Sequence, residues 1–210
     1  MHYALSLFMG FVASLVGIMP PGMLNMTAVK INRNEGHSRA FIFALGASVM
    51  LASQSFLAII FAKFLDKHPE IILMLREAGL VIFTGLTMYF FFFAKSSPPK
   101  KSVVKFKSKK SRFFWGILLS GFNFLTIPFY VFLSLTLASY DIFTFEIPFI
   151  LVFVTGILIG TMAGFYCFVT FFEKMEHRTK FIVRHMNYVI GSITAVIALM
   201  TLFNVIQYYW

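Results

Sequence analysis

The sequence predicts an all-α polytopic membrane protein, and three observations carry that prediction. The first is composition: of 210 residues, 59% are hydrophobic and 12% charged, with a mean hydropathy of +0.83. That is far too apolar for a water-soluble domain. The second is segmentation. An apolar helix needs about 20 residues to cross about 30 Å of hydrocarbon, and six stretches qualify, at 4–29, 40–62, 78–94, 113–138, 148–172 and 187–207. The third is the sorting of charge. Apart from Lys63, Lys67 and Arg76, all 18 basic residues lie in three loops. Loop one holds Lys30, Arg33 and Arg39; loop three holds Lys95, Lys100, Lys101, Lys105, Lys107, Lys109, Lys110 and Arg112; loop five holds Lys174, Arg178, Lys180 and Arg184. With six spans these loops share one side, and the positive-inside rule puts that side in the cytoplasm and both termini outside. The net charge of +10 thus reads as topology and attraction to lipid headgroups rather than as a nucleic-acid surface.

Span one carries the most informative feature of the chain, the triplet Pro20-Pro21-Gly22. Proline removes a backbone donor and clashes with the preceding turn, so the carbonyls of Val16 and Gly17 are expected to lose their helical partners. In lipid such groups persist only where protein, solute or water satisfies them, which points to a transport pathway. The span lacks a basic n-region and a small-residue cleavage site, so it is expected to remain as a mature helix. Span two places Ala40, Ala44, Ser48 and Ala52 on one face. Span five does the same with Gly156, Gly160 and Gly164. Small-residue faces allow close helix packing, either within the chain or across a homodimer.

The linker 95–112, which includes Ser96-Ser97-Pro98-Pro99, reads as a cytosolic hinge that divides a single transmembrane domain into a first repeat, 1–94, and a second, 113–210. Three spans per half is an odd number, so the halves enter the membrane from opposite sides. The expected architecture is a 3+3 inverted repeat with helices one and four broken, Pro20-Pro21-Gly22 facing the segment from Asn123 to Pro128 and helix four bending near Pro128.

No acidic residue falls mid-span: all eight acids lie in loops or at span ends, with Glu77 at the outer end of span three. Deep polar residues are Asn25, Gln54, Asn123 and Thr126, with Tyr89 and Tyr130 at less defined depth. Asn25 projects from the first turn of the resumed helix, where free N–H groups favour an anion. Asn123 precedes Pro128, which frees the Phe124 carbonyl as an acceptor for an ammonium. Either asparagine lines the pathway or stitches helices together; the flanking breaks favour the first role. Gln54 reads as interhelical glue. The expected solute site is therefore Pro20, Pro21, Gly22, Asn25, Asn123, Thr126 and Pro128. Five dispersed histidines and the single Cys167 give no metal, disulfide or catalytic pattern, so neither enzyme activity nor a cofactor is expected.

These residues resemble the LysE/RhtB-type exporter family, six-span bacterial proteins that move amino acids and related metabolites outward. The family's Pro-Gly-Pro motif and spaced glycines are matched by Pro21-Gly22-Met23, then Gly36, Ala40 and Gly46. Its span-four pattern is matched by Phe113, Gly116 and Asn123. Ser120 replaces the family's first Asn, Phe124 and Leu125 replace its Pro-Lys, and a proline follows only at Pro128. The resemblance implies a secondary exporter of amino acids or similar zwitterionic solutes in a bacterial cytoplasmic membrane, coupled to a proton or sodium gradient and alternating access between two three-helix halves. Because the departures fall on the site, the substrate and ion of other members do not carry over. The alternative is a non-transporting membrane scaffold or assembly factor that binds partner helices.

Overall fold

The computed structural model describes residues 2–18, 22–93, 108–123 and 125–172, together with 191–192, 194–196, 198–203 and 205–206. All regular structure among them is helical: α1 (His2–Ile18), α2 (Met23–Glu35), α3 (His37–Asp66), α4 (Pro69–Met88) continued by a π-helical turn (Tyr89–Phe93), α5 (Lys109–Gly121), α6 (Thr126–Ser139) and α7 (Ile147–Phe172). A last apolar helical stretch runs over Thr194–Phe203. Pro20, Pro21, Phe124 and most of the linker lie outside the described residues.

Helices α3 and α7 are each long and apolar enough to cross a membrane unaided. The pairs α1 with α2 and α5 with α6 pass the same test only when joined, and they bend by 79° and 64° at their breaks. Among the described residues there are thus two clear candidate membrane spans, and up to four when each bent pair counts as one. The predicted third and sixth spans are represented by the shorter apolar helices Glu77–Phe93 and Thr194–Phe203.

Local chemistry sets these boundaries. Gly22 is extended (φ −105°, ψ −179°) and caps α2, with the Met26 N–H donating to its carbonyl at 3.0 Å. At the other end Gly36 adopts φ +90° and donates to the Asn32 carbonyl, a left-handed stop that a side chain would strain. Pro69 opens α4, where its missing N–H costs no helical bond. The α5 N-terminus is set by Ser108, whose hydroxyl accepts the Ser111 N–H at 3.2 Å. Helix four therefore starts at Lys109, inside the expected linker, because a capping serine outweighs the run of lysines.

The break in helix four overlaps the expected segment from Asn123 to Pro128. It falls between Gly121 and Thr126, ahead of Pro128 itself, which is the third residue of α6. The first four N–H groups of a helix have no intrahelical acceptor. Pro128 is therefore accommodated in the first turn and does not bend the helix.

The chain divides into two compact units: Met1–Phe64 with Val103–Met175, and Leu65–Ser102 with Glu176–Trp210. Each draws on both halves of the sequence. In the first unit, glycines allow two helix pairs to meet backbone to backbone. On α1 and α7, Gly10 lies against the Phe153 backbone and Gly156 against that of Leu7, with Gly160 against Phe11 and Ser14. On α3 and α5, Gly46 lies against the Phe113 backbone and Gly116 against Phe43 and Ala47. The small-residue face of α7 is thus used up inside the chain.

Two apolar clusters complete this unit. One joins Ala13, Ala58, Ile59, Ile150, Phe153 and Ile157; the other joins Ala28, Ile31, Phe43, Ala47, Phe165 and Val169. The second unit is tied by Thr87 and Thr194, whose hydroxyls lie 3.1 Å apart.

A candidate functional site at the two helix breaks

The polar side chains of the first unit form a layer between the two apolar clusters. Along α3 the clusters claim residues up to Ala47 and again from Ala58, and the interval holds buried Ser48, Gln54 and Ser55. Along α7 the corresponding interval, between Ile157 and Phe165, holds buried Thr161. The 30 residues of α3 make a rod about 45 Å long and the 26 of α7 one of about 39 Å. Both exceed the hydrocarbon thickness, and the polar interval lies near the middle of each. Uncompensated polar groups are expensive at that depth, so their partners define the site.

Each break carries the same device. Asn25, buried in the first turn of α2, donates through Nδ2 to the carbonyl of Ile18, the last residue of α1, at 2.5 Å. Gln54, buried on α3, donates through Nε2 to the carbonyl of Gly121, the last residue of α5, at 3.4 Å. A side-chain amide thus caps the C-terminal end of each first half-helix, where broken hydrogen bonding would otherwise leave an acceptor bare. The breaks also approach one another: a carbon added at Gly17 would sit 3.7 Å from the ring of Phe129.

The expected site residues divide accordingly. Gly22 caps α2 and is exposed; Asn25 is buried and bonded across its break. Asn123 is half-buried, and its main chain bridges the second break, donating to the Ser120 carbonyl at 2.9 Å and accepting the Thr126 N–H at 3.2 Å. Thr126 is buried at the start of α6, whereas Pro128 is exposed. Pro20 and Pro21 lie outside the described residues. Buried Tyr130 joins the layer through a side-chain hydrogen bond with Ser55.

Gln54 belongs to the second break more directly than Pro128 does. The sequence reads it as interhelical glue, and the bond to the Gly121 carbonyl supplies the partner.

Below the layer sits a charge pair that the span-end position of its members conceals. Glu35, the last residue of α2, has a side chain only 1% exposed and receives a two-pronged hydrogen bond from Arg112 in the first turn of α5. The Arg112 Nε to Glu35 Oε2 distance is 2.8 Å. The bidentate fork satisfies both carboxylate oxygens and fastens the two half-helices on the basic-loop side. Among the described residues, no three His, Cys, Asp or Glu side chains come together as a metal-binding group.

No protein-family model, curated protein or solved structure matches this chain.

Proposed function

We propose that the protein is a secondary exporter of amino acids or related small zwitterionic solutes, carried through the bacterial cytoplasmic membrane by a site at the two helix breaks. The observation that supports this most is the repetition of one costly device: two bent apolar helix pairs, each ending its first half in a carbonyl held by a buried side-chain amide. A bundle that needs only to hold together has no use for two such interruptions. In transporters, half-helix ends supply N–H groups for an anionic group and carbonyls for a cation.

The 3+3 inverted repeat is part of the same reading. It pairs α1 and α2 with α5 and α6, and α3 with α7. Gly46 is the tenth residue of α3 and Gly156 the tenth of α7, and each receives a half-helix of the opposite repeat. The α4 region and the last helical stretch are the remaining pair, with both termini extracytoplasmic. Because the crossings interlock the sequence halves, we place the moving parts in the half-helices beside the breaks rather than in a parting of the halves.

Export is tested by comparing solutes inside and outside cells that lack or overproduce the protein, then by efflux of the identified solute from loaded vesicles. Faster efflux with the parent than with Asn25→Ala is the expected result. Equal accumulation in deletion and overproducing cells, or identical efflux by both proteins, leaves the scaffold as the function.

A further inference from the structure

We propose that Gln54 and Ser120 form a binding site for a small monovalent cation, filled either by an inorganic ion such as sodium or by the ammonium group of the solute. The use made of the cation rests on the exporter reading; its binding does not.

The argument begins with hydroxyls. Serine and threonine in apolar helices usually satisfy themselves by donating to the carbonyl one turn back. Ser53, Ser55, Thr87, Ser134, Thr136 and Thr155 all do so here, at 2.7–2.9 Å. Ser120 does not: its Oγ is fully buried and has no partner, and the same holds for Oε1 of Gln54. Buried polar atoms are rarely left so without reason.

Ser6 and Ser48 also lack partners. Ser120, however, adjoins Gly121, whose carbonyl Gln54 holds, so its hydroxyl and the Gln54 oxygen belong to the same α3–α5 crossing. Ser120 lies one turn beyond Gly116, on the face of α5 that Gly116 presses against Phe43 and Ala47 of α3. One residue further, Gly121 meets Met50 and is bonded by Gln54. That bond orients the glutamine: with Nε2 fixed on the Gly121 carbonyl, Oε1 is held in place as an acceptor.

The charge of the ligand follows from the surroundings. Both side chains present oxygen, at the C-terminal end of α5, where the helix dipole is negative. An anion is repelled there. The eight acids of the sequence lie at span ends or in loops, and Glu35, buried in this unit, is already paired with Arg112. Neutral oxygens beside a half-helix C-terminus are instead the kind of donor set that holds an alkali ion or an ammonium inside a membrane.

The full-length protein, purified in detergent micelles, is unfolded thermally in equal concentrations of sodium chloride, methylammonium chloride and choline chloride. A saturable rise in Tm over choline in the sodium arm identifies an inorganic ion; in the methylammonium arm it identifies an amine. Ser120→Ala should need about tenfold more cation for the same shift, and Gln54→Met should abolish it. Because the Ser120 hydroxyl bonds nothing in the unliganded protein, Ser120→Ala should melt in choline no lower than the parent, and this variant decides the matter if Gln54→Met does not fold. Equal Tm in all three salts, or a shift that survives both substitutions, overturns the site. Neither result touches the efflux comparison by which the exporter reading stands or falls.

Discussion

Asn25 illustrates how much one side chain can carry in this protein. Its Nδ2 reaches back seven residues to the Ile18 carbonyl, so replacing it by alanine removes the donor and leaves a buried acceptor bare. That costs about 1–3 kcal/mol. Asn25→Asp is nearly the same shape but turns an acceptor, and a buried charge, toward the same carbonyl. It should therefore destabilise more than Asn25→Ala, a ranking that inverts what size alone suggests, and thermal unfolding of the three proteins checks it. Gly36 gives a second residue-scale test. At φ +90° with no neighbouring atom within 4 Å of an added Cβ, Gly36→Ala should cost about 1–2 kcal/mol through backbone strain alone. The position of Asn25 in the first turn of a helix could be read from the sequence, because Pro-Pro-Gly announces a helix start just before it, but its bond to the Ile18 carbonyl could not. Gln54 reads as interhelical glue without a named partner, and Glu35 has no readable role. Their roles depend on partners 67 and 77 residues away, and a glutamine or a glutamate at a helix end has no local signature for such a contact.

At the scale of elements, the half-helices α2 and α5 are held by a charge pair and the helix crossings by glycine, and these respond differently to substitution. Removing one member of a buried pair leaves the other uncompensated, at about 3–5 kcal/mol, whereas replacing both with apolar residues of similar volume is often neutral or better. Glu35→Gln should thus be more damaging than the double variant Glu35→Leu with Arg112→Met, and a double-mutant cycle on Tm measures the coupling. If α2 and α5 must part on the cytoplasmic side for solute to enter, the double variant should also change the efflux rate while remaining folded. The glycines offer an internal contrast. Gly85 has open space around it, so Gly85→Ala should stabilise α4 by about 0.5–1 kcal/mol. Gly156→Ala drives a carbon into the Leu7 backbone and should prevent α1 from docking on α7, read as loss of the folded species in size-exclusion chromatography. The spans α3 and α7 were legible because twenty-residue apolar runs leave few alternatives. The second break was legible as a segment but not in its cause, since Pro128 is the obvious breaker by composition yet is tolerated in the first turn of α6, and the interruption lies in the residues just before it.

Over the whole molecule, the distribution of charge makes the last prediction. If the loops around Arg33, Lys105 and Arg178 share the cytoplasmic side, the turn that includes Asp141 lies outside. That turn is well formed: Asp141 takes a left-handed conformation (φ +56°), and the Asp141 and Ile142 N–H groups close back on Ala138 and Leu137 at 3.0 Å, the double bond pattern that ends many helices. A cysteine placed at Tyr140, exposed at the end of α6, should therefore react with a membrane-impermeant thiol reagent in intact cells. One at Lys105 should react only after the cells are opened. Both are placed in a Cys167→Ser background, because Cys167 is free and exposed. The inverted repeat requires this arrangement as strictly as the charge does: with an odd number of spans in each half, the turns after the second and fourth spans face the same side, opposite the linker. Labelling of Lys105→Cys in intact cells would reverse the orientation and with it the direction of the proposed transport. Labelling of both positions in intact cells would remove a span from one half, and the equivalence of α3 with α7 would fail as well.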